Sequence, residues 1–176
     1  RNVQSTTHAR GFTSGNTCSA SRKLLATALP NTSQGAPITT NVYDNRDWLA
    51  RTLNPLQQAT IFTNDAAQRI VSITDPLNRT TCFAFDANNR KTAATNAALE
   101  ATRTSFNARG EAVQSVDGAS HVVLRAFDAT GNQTALTNRN GKKWQFQFDA
   151  ANRLTNTITP LNRQTWQVFN NRGLLD

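Results

Sequence analysis

The sequence predicts an all-β protein: an array of 21-residue β-hairpin repeats forming a curved antiparallel sheet. Three observations carry that expectation. Short runs rich in Thr, Val, Ile and Phe alternate with turn sequences. An aromatic residue followed by Asp or Asn recurs at a constant interval. The residue three places after that Asp or Asn is Gly or Asn in five of seven cases, as a backbone position with φ above zero requires.

The stretch Arg69–Arg90, RIVSITDPLNRTTCFAFDANNR, shows the unit most clearly. Ile70–Thr74 and Thr80–Phe85 read as strands, separated by Asp75-Pro76-Leu77-Asn78 and followed by Asp86-Ala87-Asn88-Asn89. An Asp opening a turn accepts a hydrogen bond from the backbone two residues on, Pro76 presets φ, and Asn tolerates the left-handed region. The stretch is therefore a hairpin followed by a second turn.

The unit recurs as Tyr43-Asp44, Phe85-Asp86, Phe106-Asn107, Phe127-Asp128, Phe148-Asp149 and Phe169-Asn170. Asn64-Asp65 fills the remaining slot, keeping the Asp and losing the aromatic. The second residues of these pairs are 21 apart throughout. Asp47, Gln68, Asn89, Gly110, Gly131, Asn152 and Gly173 occupy the expected left-handed position. Within the repeat, Asn54-Pro55-Leu56, Asp75-Pro76-Leu77 and Pro160-Leu161-Asn162-Arg163 mark a second turn, the last reading as shifted onto Thr159. Asp117-Gly118 and Asn140-Gly141 are variants of it.

Residues 1–42 are expected to be a degenerate repeat or capping segment, and 43–176 six repeats plus the start of a seventh. Gly11, Gly15, Pro30, Gly35 and Pro37 break the N-terminal part, and Arg22–Leu29 fits either a short helix or a strand. Ile38–Tyr43 reads as the second strand of a repeat whose first half has drifted. Later strands carry Phe83 and Phe85, or Trp144, Phe146 and Phe148, on one face by their spacing of two. Trp166 and Val168 stand on the other parity from Phe169. The anchor aromatics are expected to pack on one another along the sheet. Ala93-Ala94 and Ala97-Ala98 suit a helix by propensity, but the flanking register favours strand.

Phe85-Asp86-Ala87-Asn88-Asn89-Arg90 and Phe148-Asp149-Ala150-Ala151-Asn152-Arg153-Leu154, with Tyr43-Asp44 and the Asp-Pro-Leu-Asn-Arg turn, resemble the YD repeat of the RHS (rearrangement hot spot) family. The resemblance runs from Asn41 to the C-terminus. Departures are Phe for Tyr at five anchors, Asn64 at another, and Glu111 and Asn132 where Arg is usual. The resemblance implies a strip of the hollow shell that, in this family, encloses a C-terminal toxic or effector segment. It also implies a secreted or cell-surface location. The partners it implies are the remainder of a longer chain and, through exposed sheet edges, further copies. The self-cleaving sequence of such proteins, Asp-Pro-x-Gly-Leu, does not occur in the chain.

Composition sets further bounds. The chain has 176 residues, no Met, and opens on Arg1, which reads as a piece of something longer. At 38% hydrophobic residues a thick core is not expected, and no apolar run is long enough to span a membrane as a helix. The net charge of +8 raises nucleic acid or an acidic surface as partners. Arg69, Arg90, Arg153, Arg79, Lys142 and Arg163, however, recur at turn positions, which favours turn-bridging or solvated roles over a nucleic-acid stripe. Cys18 and Cys82 read as free, partly buried thiols.

No catalytic constellation stands out. His8 and His121 lack spaced ligand partners, and no nucleophile elbow occurs. The Asp44, Asp65, Asp86, Asp128 and Asp149 column could suggest calcium, but one carboxylate per turn fits a turn-starter better. No metal and no cofactor are expected. The structural anchors are therefore the aromatic–Asp/Asn pairs, and the role a shell wall. The alternative is a module binding carbohydrate, specifically a polyanionic glycan, through Lys142, Lys143, Trp144 and Trp166.

Overall fold

A computed structural model describes residues 2–7, 13–20, 23–29, 37–170 and 172–176. The sequence features His8, Gly11, Arg22, Pro30 and Gly35 lie outside those residues. The chain divides into two compact units, Arg1–Phe83 and Ala84–Asp176.

The first unit holds β1 (Asn2–Thr7), β2 (Thr13–Cys18), β3 (Leu24–Ala28), β4 (Ile38–Tyr43), β5 (Leu49–Leu53), β6 (Ala59–Asn64), β7 (Ile70–Thr74) and β8 (Thr80–Phe85). Ala84 and Phe85 of β8 already belong to the second unit. From β1 to β8 each strand pairs antiparallel with the next. The second unit continues with β9 (Lys91–Thr95), β10 (Ala101–Phe106), β11 (Ala112–Val116), β12 (Val122–Phe127), β13 (Gln133–Thr137), β14 (Lys143–Phe148), β15 (Leu154–Ile158) and β16 (Gln164–Trp166). From β9 to β16 the same next-neighbour antiparallel pairing holds. The N-terminal segment whose sequence fits either helix or strand thus forms β3, and the alanine-rich repeat forms β9.

The 21-residue period has a simple construction. A six-residue strand, a five-residue strand and two five-residue turns complete one repeat. Accordingly β4, β6, β8, β10, β12 and β14 begin at 38, 59, 80, 101, 122 and 143. Thr159 is in register, four periods after Asp75, so the expected shift onto it does not occur.

Both turns of each repeat are built alike. The N–H of Asp86 donates to the carbonyl of Arg90 at 3.0 Å, and the N–H of Asn89 donates to the carbonyl of Asp86 at 3.1 Å. The side-chain Oδ1 of Asp86 accepts from the N–H groups of Asn88 and Arg90. Asn89 has φ 62°, so the turn is a three-residue hairpin loop whose last residue is left-handed. The mid-repeat turn at Asp75 repeats every one of these bonds, with Asn78 at φ 60°. All seven anticipated left-handed positions from Asp47 to Gly173 have positive φ. So do Gln57, Asn78, Leu99, Ser120, Gly141 and Asn162, the matching places of the mid-repeat turns. The two turns differ in the flanking ladder. At the anchor ends the pairing slips by one residue, as between Ala126 and Phe127, which marks a β-bulge.

Paired strands present alternate residues to two faces. Phe83 and Phe85, or Trp144, Phe146 and Phe148, are half-buried on one face, while Cys82 and Ala84, or Gln145 and Gln147, are exposed on the other. Among the described residues no hydrophobic side chain is fully buried, and Asn156 is the one polar residue that is. Cys18 and Cys82 are both free, but Cys82 is exposed rather than partly buried, because it falls on the open face. After the short β16 a bridge joins Phe169 to Leu175 around the turn at Asn170.

Candidate functional site

The functional candidates lie along the turns, and the anchor turns come first. In each, a carboxylate or amide satisfies backbone donors, and at Asp65, Asp86 and Asp149 the carboxylate also pairs with the arginine four places on. Arg69, Arg90 and Arg153 donate Nε–H to Oδ2 of Asp65, Asp86 and Asp149 at 2.7 Å. The Arg69 bond is the leading cause holding the Asp65 carboxyl below its ordinary range, ahead of opposing desolvation, and the Arg153 bond does the same for Asp149. Asp128 has no such cation. The Thr130 hydroxyl, which donates to its Oδ1 at 2.8 Å, is first among the groups that lower its pKa to about 2.

Arg90 and Arg153 also reach across to the next repeat. Arg90 lies over the Phe106 ring at 4.6 Å and donates to the Asn107 carbonyl at 3.2 Å. Arg153 lies over Phe169 at 4.5 Å. Lys23 lies 5.4 Å from the Tyr43 ring centroid and pairs with Asp47 at 2.7 Å. At Phe106 and Phe169 the ring contact is thus a guanidinium from the preceding turn, which corrects the expected ring-on-ring ladder there. Anchor strands alternate with five-residue strands, and two strand spacings of about 4.8 Å each leave room for a cation between successive anchors. Where Glu111 takes the usual Arg position, Arg109 holds Glu111 at 3.0 Å and donates to the Asp128 and Ala129 carbonyls of the next turn.

Lys23 shows that the turn chemistry extends into the N-terminal segment. The N–H of Ser19 donates to the Lys23 carbonyl at 2.8 Å, and Ser19 Oγ accepts from the Lys23 N–H at 3.1 Å. Sequence reading misses this because the interval from Ser19 to Asp44 exceeds 21 and a Ser replaces the carboxylate. The signal that could find it is the basic residue four places on.

The residues expected to form a glycan site are divided between the faces. Trp144 is half-buried beside Phe146 and Phe148, and Lys143 points to the opposite face. Trp166 shares the Lys143 face, since Gln147 pairs with Asn156 and Asn156 with Trp166, and it is 63% exposed. Asn156 donates from Nδ2 to the side-chain carbonyls of Gln147 and Gln164, both at 3.3 Å. Lys142 belongs to the turn before β14, where its N–H donates to Asn138 Oδ1 at 3.0 Å. Among the described residues no group of three or more His, Cys, Asp or Glu side chains is placed to hold a metal ion. His121 lies at a mid-repeat turn with Nδ1 3.1 Å from Asp117 Oδ2.

The RHS Repeat family model matches two stretches, residues 65–101 and 127–164. Each covers two anchor turns and the mid-repeat turn that follows each of them. Those two stretches are similar to RHS repeats. No curated protein matches it in sequence. A solved structure of the Photorhabdus luminescens Tc holotoxin pore matches with a TM-score of 0.63 and 13% identity, over 93% of this chain and 10% of that one. A TcdB2–TccC3 structure containing Cdc42 matches at 12% identity over 94% of this chain and 13% of that one, with a TM-score of 0.36. The first likeness shows the fold alone, and the second is too loose to argue from. The chain spans about a tenth of the length of the chain with which it shares that fold.

Proposed function

We propose that this RHS-repeat array is a structural wall segment of a shell that encloses, and helps deliver, a C-terminal toxin or effector of a longer secreted or surface protein. The observation that carries the reading is the turn-to-turn stitching. Arg90 and Arg153 pair with the carboxylate of their own turn and lie over Phe106 and Phe169 of the next repeat, and Lys23 reaches Tyr43 in the same way. A unit whose anchor side chains are committed in this way is suited to bearing form rather than to chemistry, and no catalytic role is proposed. The likeness of fold to part of a toxin assembly supports the same reading. The remainder of the parent chain is the first partner, and further copies pairing along sheet edges are the second. The test is limited proteolysis and electron microscopy of the complete natural gene product. A hollow, protease-resistant particle with one protected segment inside would support the proposal. An extended particle whose every segment is cut at the same rate would overturn it.

A second reading, a glycan-binding module, is favoured by Trp166, exposed on the same face as Lys143 and the Gln147–Asn156–Gln164 amide row. Sulfated-glycan affinity at moderate salt that Trp166→Ala removes would support it. Retention unchanged in that variant would reduce it to non-specific charge attraction.

A further inference from the structure

The mid-repeat turns differ in what they do with their basic residue. Where the starter is Asp75, its Oδ2 pairs with Arg79 at 2.6 Å, and where it is Asp117, it meets His121. The last two turns start with Asn138 and Thr159, which carry no charge. Lys142 and Arg163, at the position where Arg79 finds its carboxylate, therefore have none in their own turns. Lys143 adds a second cation beside Lys142, and neither lysine forms an ion pair among the described residues.

These two turns flank a cleft of about 420 Å³. One wall carries Lys142, Lys143 and Gln145, and the other Ile158, Pro160 and Leu161. Gln145 and Ile158 are cross-strand partners, so both point to the open face, which Lys143 shares. At Gly141 a Cβ would meet nothing within 4 Å, so no side chain fills that end. Leu161 is 74% exposed at the tip. The cleft thus opposes two ammonium groups without a carboxylate to an apolar wall, and its volume is that of a small-molecule site. Neither Trp144 nor Trp166 lines it, so it offers no ring on which a sugar could stack.

We propose that this cleft binds a small amphiphilic organic anion, an acid group on the lysines and an apolar body against Ile158, Pro160 and Leu161. The acid stands in for the carboxylate that Asp75 supplies to Arg79 and Asp117 to His121, and the apolar body covers a side chain otherwise left in water. The site is independent of the shell reading, because it uses only the mid-repeat turns and the open face.

The test is calorimetric titration of the intact 176-residue chain with octyl sulfate, inorganic sulfate and octanol. Saturable binding of one octyl sulfate per chain is expected, with inorganic sulfate and octanol each at least about tenfold weaker. The double variant K142Q/K143Q should bind octyl sulfate at least about tenfold more weakly, and Leu161→Ser should also weaken it. Arg103→Gln, a change at an exposed cation elsewhere in the unit, should leave affinity unchanged. Circular dichroism identical to that of the parent shows that each variant is folded. Absence of saturable binding, undiminished binding in the lysine variant, or inorganic sulfate binding as tightly as octyl sulfate would each overturn the proposal.

Discussion

Arg90 stands 4.6 Å over the ring of Phe106, although one belongs to the turn that ends β8 and the other to the end of β10. The guanidinium pairs with Asp86 behind it and with the Asn107 carbonyl ahead. A single side chain thus locks its own turn and docks the next. Replacing Arg90 with Ala should lower the urea midpoint, with about 0.5–1 kcal/mol lost from the ring contact alone. Arg90→Lys should fall between, since it keeps the charge but loses the planar fork. Arg139→Ala, in a mid-repeat turn with no ion pair among the described residues, should be near neutral.

The left-handed column predicts opposite signs for two glycine exchanges. Gly110 has φ +87°, and a Cβ there would come within 3.3 Å of Arg90 Nη1. Gly110→Ala should therefore destabilise by about 1–2 kcal/mol from the backbone term, with the crowding of Arg90 added. Leu99 holds φ 64° with its side chain 84% exposed, so it has strain and little packing to lose. Leu99→Gly should raise the melting temperature. Thermal unfolding of both variants checks the pair.

Acid should unfold the array over a defined window. Asp75 is held below the ordinary carboxylate range first by the side-chain bond from Arg79, and Asp117 first by the backbone N–H of His121. Groups depressed in the folded state stabilise it above their unfolded pKa, about 3.9, and lose that contribution as pH falls through the folded value. Stability should hold from neutral pH down to about 4 and then fall progressively toward pH 2. Asp128, at about 2, should be the last of them to protonate. Melting temperatures across that range measure the slope. Asp128→Asn should flatten it at the acid end, since an amide keeps the turn, as Asn107 does, and does not titrate.

Turn-starters should tolerate an amide and reject an alkyl group. Asp149 Oδ1 accepts from the N–H groups of Ala151 and Arg153. Asp149→Asn retains an acceptor and should cost little. Asp149→Ala strands both donors and should lower the melting temperature clearly more. Equal losses in the two variants would show that the ion pair with Arg153, and not the turn, is what Asp149 supplies.

The two thiols should react unequally. Cys82 is exposed on the open face and Cys18 is half-buried at the end of β2. Ellman's reagent should therefore titrate one thiol fast and one slowly in the native protein, and both fast in denaturant. Equal native rates would place Cys82 on the covered face.

The features legible in the residues alone are local ones. Turn chemistry acts within five residues, so Asp86, Asn89 and their periodic equivalents specify the hairpins, the left-handed positions and the alternation of faces. That alternation is enough to put Phe83 and Phe85 on one side of the sheet. The family resemblance rests on the same local signals. Whatever depends on which turn lies beside which belongs to tertiary structure. Only antiparallel stacking at a fixed strand spacing puts Arg90 over Phe106, Lys23 beside Tyr43 and Arg109 on the carbonyls of Asp128 and Ala129. These contacts join residues up to a whole repeat apart, and no periodicity within one turn encodes them. Trp144 and Lys143 are the converse case: neighbours in sequence, they read as parts of one site, and the pleat sends them to opposite faces.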